Sequence, residues 1–380
     1  MHHSEPIKIV ITGAGGLIGW HAAAHLYAQN CAALFKGEVA PFEVVLLDHA
    51  GFADANRLSE ALQGAAAVLH FAGVNRGTDA DVDRGNPAIA HALILACRDL
   101  MATPHIVYAN STHASFDTPY GRSKRRAAEI LGGLGGRFTN LILPHIFGEC
   151  ARPRYNNVTA TFIEAIIAGQ RPNVNSGGIV DLLHAGAAAD VAIAAALSGQ
   201  SGQLTPESRR VVVPELLDRI TTFHTGYQAN IFPDLSKVFD LALFNSYRAG
   251  LYPSGFPRPL KINTDPRGTL FEAVKGGGGG QSFLSWTKPG ITRGDHFHLH
   301  KVERFLVLQG EAIIRIRRVL SEPVWEYRVS GEHPSIVDIP TLHTHNITNI
   351  GDTPLLTLFW THDQFDPSAP DTYADPVKKV

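Results

Sequence analysis

The chain has 380 residues, 44% of them hydrophobic, which exceeds one ordinary domain and suffices for two with substantial cores. Its 33 basic and 35 acidic residues leave a formal net charge of −2 with no basic run or acidic tail, so nucleic acid and membrane surfaces are not expected partners. No apolar stretch is long enough to span a bilayer, the start Met1-His2-His3-Ser4-Glu5 lacks the apolar core of a signal peptide, and the three cysteines (Cys31, Cys97, Cys150) form no Cys-x-x-Cys pair; a soluble enzyme of the reducing cytoplasm is expected.

Ile7-Lys8-Ile9-Val10-Ile11 is a buried-strand pattern that runs into Thr12-Gly13-Ala14-Gly15-Gly16-Leu17-Ile18-Gly19 and then an apolar-periodic segment to about Tyr27. Strand, glycine turn and helix follow in that order. Gly13, Gly16 and Gly19 keep a three-residue spacing that lets backbone approach a pyrophosphate and leaves helix N-terminal amides pointing at it. Further strands are predicted at 44–47, 67–71 and 106–109, with helices from about Asn56 and over 88–98. This βα alternation predicts a doubly wound parallel sheet. Asp48 ends the second strand, where a carboxylate takes ribose hydroxyls and disfavours a 2′-phosphate, whereas His49 beside it favours the phosphorylated cofactor. Both NAD(H) and NADP(H) therefore stay open.

Ser111-Thr112 lies just past the fourth strand, and Tyr120-Gly121-Arg122-Ser123-Lys124 opens the next helix. One helical turn puts Tyr120 and Lys124 on the same side. An ammonium there is expected to lower the phenol pKa and to hold the nicotinamide ribose, leaving Tyr120 to pass a proton to or from a carbonyl oxygen, with a hydroxyl from Thr112 or Ser111 on the same oxygen. Asn86 reads equally as a helix cap or a catalytic aid, and Arg152 and Arg154 equally as diphosphate partners or solvated loop residues.

The stretch 251–259 carries three prolines that no helix crosses, which sets a domain boundary between 1–250 and 257–380. Beyond it, short β-rich runs at 270–274, 282–286, 305–308, 312–316, 324–329 and 355–360 predict an all-β sandwich or barrel, and the run Gly276-Gly277-Gly278-Gly279-Gly280 reads as a flexible hairpin tip. His296 and His298, two apart on a strand, face one way; Glu303 on the next strand and His345 further on complete a set of three imidazoles and one carboxylate. That donor set suits a divalent ion such as zinc.

On the glycine turn, Tyr120-x-x-x-Lys124, Phe71-Ala72-Gly73-Val74-Asn75-Arg76 and Leu143-Pro144-His145-Ile146-Phe147-Gly148, residues 7–245 resemble an extended short-chain dehydrogenase/reductase of the nucleotide-sugar group. The resemblance implies that Ala72 and Gly73 lie near the cofactor and that His184, where that group often has a tyrosine-like residue, alters substrate contacts. Gly290-x5-His296-x-His298-x4-Glu303-x6-Gly310 and Pro340-x4-His345-x3-Asn349 are similar to the two cupin motifs, with Leu342 where glycine is common. Arg293-Gly294-Asp295-His296-Phe297 is also similar to a segment of metal-free 4-keto-6-deoxy-sugar 3,5-epimerases in which that histidine is the general base. His296 is a ligand in one reading and a base in the other; without metal, Lys301, Arg304 or Tyr327 has to supply charge or a proton.

Reductase followed by cupin resembles the CapF-type capsular polysaccharide enzymes, a likeness that includes Glu326-Tyr327-Arg328-Val329-Ser330-Gly331 and Phe365-Asp366-Pro367. It implies a cytoplasmic homodimer of two activities acting on a UDP-linked 4-keto-6-deoxy amino sugar: C3 epimerisation in the cupin, C4 reduction with NAD(P)H in the reductase, toward UDP-N-acetyl-L-fucosamine. The alternative is a single-activity enzyme whose cupin is a non-catalytic metal-binding and dimerisation module.

Overall fold

The computed structural model describes residues 5–378; residues 1–4, most of the start in which no signal peptide was read, lie outside the described residues. Among the described residues, no helix is long and apolar enough to cross a membrane. The chain divides into two compact units, Met1–Ile146 with Val180–Arg210 and Phe147–Ile179 with Val211–Val380.

The first unit opens β1 (Ile7–Thr12), α1 (Leu17–Phe35), β2 (Phe42–Leu47), α2 (His49–Ala53), α3 (Ala55–Leu62), β3 (Ala67–His70), α4 (Asp79–Asp99), β4 (His105–Ser111), α5 (Pro119–Gly132) and β5 (Phe138–Leu143). The strands form one parallel sheet in the order β2-β1-β3-β4-β5, with Gly202–Leu204 at the far edge. Period-two alternation explains the double winding. Ile9 and Ile11 pack with Leu69, Val107 and Leu141 under α1 and the helix Ala185–Ser198, while Val10 joins Val68 and Ile106 under α3, α4 and α5. Each such fully buried aliphatic side chain contributes about 1.5–3 kcal/mol. The reversal of strand order lies between β1 and β3, and Thr12 at the end of β1 is in register with Leu47 of β2 on one side and His70 of β3 on the other. The glycine turn, Asp48 and Phe71-Ala72-Gly73 consequently leave the sheet side by side, where open α/β sheets hold ligands.

Helix α4 starts nine residues before the expected position, at a capping box in which Thr78 and Asp81 exchange hydrogen bonds; Asn86 is therefore a buried mid-helix residue and caps nothing.

The second unit holds the helices Val158–Ile167, Val213–Gln228 and Val238–Leu251 and most of the antiparallel strands. Helix gives way to strand between Leu251 and Arg258, where the sequence boundary was placed, yet the compact units divide elsewhere. The reason is a buried polar seam. Arg304 Nε and Nη2 donate to the two carboxylate oxygens of Asp338 at 2.6 and 2.7 Å, both side chains fully buried, and the Tyr227 hydroxyl from the helix Val213–Gln228 donates to the same carboxylate. Asn245, from Val238–Leu251, donates to the His300 carbonyl at 2.9 Å.

The strands form two five-stranded antiparallel sheets. One contains Arg258–Pro259, Ser335–Ile339, Glu303–Gln309, Leu355–Thr361 and Gln281–Thr287; the other contains Val324–Ser330, Glu311–Arg318, His343–Asn349, Thr292–Phe297 and Tyr373–Ala374. Residues of both, including Phe305, Val307, Ile314, Ile347 and Phe359, share one core. The glycine run is no hairpin tip: Lys275–Gly276 pairs in parallel with Ile231–Phe232, and a Cβ on Gly277 or Gly280 would meet the Phe232 or Thr361 carbonyl at 2.9 and 2.6 Å.

Candidate functional site

At the parallel sheet, backbone geometry comes first. Gly13 has φ +68°, and a Cβ there would lie 2.7 Å from the Ala72 amide nitrogen; one on Gly19 would lie 2.3 Å from the Gly13 carbonyl oxygen. These two glycines let the turn fold onto the residue after β3. Gly16 caps α1 with no side-chain hydrogen bond, so the amides of a 19-residue helix open onto the turn, as a pyrophosphate site requires. The Asp48 carboxylate accepts the Gly51 amide at 2.7 Å, capping α2 and fixing its own direction. Gly73 is equally enclosed, since a Cβ would stand 2.8 Å from Asn86 Oδ1. Asn86 ties this loop to α5: it bridges both backbone groups of Val74 (3.1 and 2.9 Å) and donates to Ser123 at 2.9 Å.

The hydroxyl that reaches Tyr120 belongs to Ser111, whose hydrogen bond pulls the phenol pKa down; Thr112 begins an exposed 3-10 turn. Burial is the larger effect and leaves Tyr120 above its ordinary value. The expected activation by lysine is thus not what this geometry contains. Lys124 Nζ donates to the Ala109 carbonyl at 2.5 Å and sits 4.2 Å from the centre of the Tyr108 ring. Burial lowers its ammonium to about 7, weakening the charge that was to act on the phenol.

In the antiparallel region His296, His298, Glu303 and His345 converge, with one ligand atom from each within 4.8 Å of the others. The strand Thr292–Phe297 delivers His296 after a bulge at Gly294 (φ +106°) and Asp295 (φ +57°). Leu342 takes φ +60°, a left-handed conformation that glycine adopts more readily than leucine. His298 and His345 Nε2 lie 3.3 and 3.0 Å from one Glu303 carboxylate oxygen.

Every imidazole donates its other ring N–H to a backbone carbonyl: His296 to Gly294, His298 Nδ1 to Asp371 at 2.5 Å, His345 Nδ1 to His343 at 3.2 Å. With those protons placed, Nε2 of a neutral His298 or His345 presents a lone pair to a carboxylate, a repulsion relieved by a proton or a cation between them. Burial would raise Glu303, but the two imidazoles set against its carboxylate, His298 and His345, hold it well below the usual carboxylate range. Burial, then His345 and His298, hold His296 down to about 3, so it is unprotonated at neutral pH. A largely buried N3O donor set with backbone-braced imidazoles fits a divalent cation.

Other candidates are engaged elsewhere. Lys301 Nζ donates to the Pro370 carbonyl at 2.6 Å and to Thr372 at 3.3 Å. Arg304 leaves its strand on the side opposite Glu303, into the Asp338 pair, and the Tyr327 hydroxyl donates to the Pro253 carbonyl at 2.9 Å. Arg154 donates to Glu164 at 2.6 Å, Arg152 stacks on Tyr155 at 4.9 Å, and His184 caps the helix Ala185–Ser198. Asp371 went unread, because its bond to His298 spans 73 residues and belongs to no local motif.

Residues 9–207 match the NAD dependent epimerase/dehydratase family, and residues 263–373 match the polysaccharide biosynthesis C-terminal domain. The chain is 30% identical over 381 residues to the UDP-2-acetamido-2,6-beta-L-arabino-hexul-4-ose reductase of Pseudomonas aeruginosa, covering 97% of this chain and 98% of that one. It is similar to the crystal structure of the capsular polysaccharide assembling protein CapF from Staphylococcus aureus, at 31% identity and TM-score 0.56 over 97% of this chain and 99% of that one. A second CapF crystal form from the same organism gives 29% identity and TM-score 0.51 over 98% and 100%.

Proposed function

The chain belongs to the NAD dependent epimerase/dehydratase family, and from that premise we propose that it is a bifunctional nucleotide-sugar enzyme: a 4-ketoreductase in residues 1–250 and a C3 epimerase in a cupin barrel at 257–380. The substrate is a UDP-linked 2-acetamido-2,6-dideoxy-4-hexulose and the pathway leads toward a UDP-N-acetyl-L-fucosamine-type precursor, a reading supported by the near full-length likeness to a UDP-hexulose reductase and to CapF. The observation that carries the two-activity reading is the coexistence, on one chain, of the Tyr120, Lys124 and Ser111 group with the His296, His298, Glu303 and His345 group.

In the reductase, Gly13, Gly16, Gly19, Ala72, Gly73 and Asp48 would hold the dinucleotide, and Lys124 its nicotinamide ribose. The nicotinamide, when bound, supplies the hydride. Tyr120, kept protonated by burial, donates its proton to the C4 oxygen, and Ser111 hydrogen-bonds the same oxygen. Asp48, directed by the Gly51 amide, is a ribose partner in NAD(H); NADP(H) needs a cation to offset it.

In the cupin, His296, His298, Glu303 and His345 would hold a divalent metal, zinc suiting the donors best, which supplies Lewis-acid chemistry to the C4 carbonyl oxygen. The 4-keto group acidifies the C3 hydrogen; a base removes it and the carbon is reprotonated on the other face. His296 has the free lone pair that either role, ligand or base, demands. The metal-free alternative is weakened by the engagement of Lys301, Arg304 and Tyr327 elsewhere. A homodimer is supported by the edge strand Gln281–Thr287, where Phe283, Leu284 and Trp286 are 40%, 50% and 63% exposed.

Separating the activities tests this. Tyr120→Phe is expected to lower nicotinamide oxidation by about 10²–10⁴-fold and to leave C3 hydrogen exchange intact, and His296→Ala to do the reverse. Loss of both activities in either variant would contradict the division.

A further inference from the structure

The last described residues of the chain lie along the strands that carry the histidines. Tyr373–Ala374 pairs with Thr292–Phe297, placing Ala374 opposite His296, and the Tyr373 ring packs 5.3 Å from that of Phe297. One residue further, the Asp375 carbonyl accepts the hydroxyl of Thr344, the neighbour of His345, and the Asp375 amide donates to the Asp295 carbonyl at 2.9 Å. The segment is anchored beneath by a buried ion pair between Asp375 and Arg317 at 2.8 Å, and Arg317 also donates to the carbonyls of Pro376 and Val377, both at 2.9 Å.

Asp371 acts most directly. Its carbonyl accepts the His298 Nδ1 proton at 2.5 Å, which fixes the tautomer and turns Nε2 toward Glu303. Its carboxylate accepts three successive amides, Leu299, His300 and Lys301, at 2.9, 2.9 and 2.8 Å, closing the loop that joins His298 to the strand of Glu303. It does this from a left-handed backbone conformation, φ +43°, which a residue other than glycine rarely adopts unless its surroundings impose it. Lys301 Nζ, through the Pro370 carbonyl and Thr372, clamps the segment from the other side.

We propose that Asp371 is a positioning residue of the histidine and carboxylate site, and that residues 370–378 complete that site by fixing His298 as an Nε2 donor beside Glu303. The inference rests on the metal-binding reading of the four residues. It assigns Asp371 no contact with substrate: it acts through His298, as the acceptors of metal-bound imidazoles do generally.

Zinc titration of the full-length protein in competition with a chromophoric chelator tests it without using catalysis. Asp371→Asn keeps the carbonyl and tolerates the left-handed backbone but gives up part of the carboxylate; Asp371→Ala removes the carboxylate and disfavours the conformation. The apparent zinc dissociation constant is expected to rise about 10-fold in the first and toward 100-fold in the second, the range for losing an outer partner. Asp366→Ala, whose carboxylate serves only Ser368 and Ala369 of its own turn, is the control and is expected to bind as the parent does. Saturating zinc should restore C3 exchange in Asp371→Asn, since all four ligands remain; a merely destabilised protein would not recover. Parent and Asp371 variants binding one zinc with equal affinity would overturn the role of Asp371. A parent that binds no zinc would overturn the metal reading beneath it; should Asp371→Ala not fold, Lys301→Met, which loses the side-chain clamp on Pro370 and Thr372 and keeps the Lys301 amide on the Asp371 carboxylate, is expected to weaken zinc binding, and parent-like affinity would count against residues 370–378 completing the site.

Discussion

At the parallel sheet the functional groups depend on backbone shape and on few side chains, and two of those side chains are shifted by burial, which holds Lys124 down to about 7 and keeps Tyr120 above its ordinary value. At the histidine cluster the donors are braced one by one, each imidazole against a carbonyl and Glu303 against two imidazoles. The first arrangement leaves charge and hydrogen bonds to be completed by a dinucleotide that comes and goes. The second is assembled in advance, as a group that stays in place demands.

Glu303→Gln should break the comparison most severely. It replaces the one anionic group of the cluster by a neutral amide, and zinc affinity should fall by more than the about 10–100-fold of an outer partner, with reduction of the C4 ketone unaffected; metal analysis and nicotinamide oxidation on one sample decide it. Next comes the seam. Asp338→Ala leaves the buried Arg304 guanidinium unpaired and should lower the unfolding free energy by about 3–5 kcal/mol in urea, whereas a loss below about 1 kcal/mol would mean that the helices do not brace the strands there.

Lys124→Met sharpens the other side. Because the folded pKa of Lys124 is lowered from 10.5 to about 7, the unfolded chain holds a proton between those values that the folded chain releases. The parent is therefore penalised fully below about pH 7 and gains stability as pH rises toward 10.5. The variant should be more stable than the parent at pH 6.5, by a margin that narrows at pH 9.5; a margin independent of pH would contradict burial of the ammonium. The smallest effect separates two neighbours: Ser111→Ala should slow ketone reduction about tenfold, the worth of one hydrogen bond, and Thr112→Ala much less.

Much of this was legible in the sequence where the information is local. The one-turn spacing of Tyr120 and Lys124 on α5 and the two-residue spacing of His296 and His298 follow from a helical and a strand period, and the structure brings the two histidines together with Glu303 and His345. What escaped the sequence is long-range. Asp371 meets His298, Asp338 meets Tyr227 and Asn86 meets Ser123 across stretches that carry no periodic signal. The same limitation explains Lys301, whose place in the motif suggested a catalytic charge and whose ammonium is held by Pro370. The seam also bears on experiment: cutting the chain at 250–257 separates Asp338 from Tyr227, so the two activities are better dissected by point substitution than by fragments.

The most direct test of two chemistries on one chain is deuterium incorporation at C3 of a UDP-linked 4-keto-6-deoxy-N-acetylhexosamine in D2O, without nicotinamide, before and after metal removal by a chelator. Exchange that stops on chelation and returns with zinc is the predicted result. Exchange that continues in the metal-stripped protein, or none at all while NAD(P)H is still consumed, would contradict it.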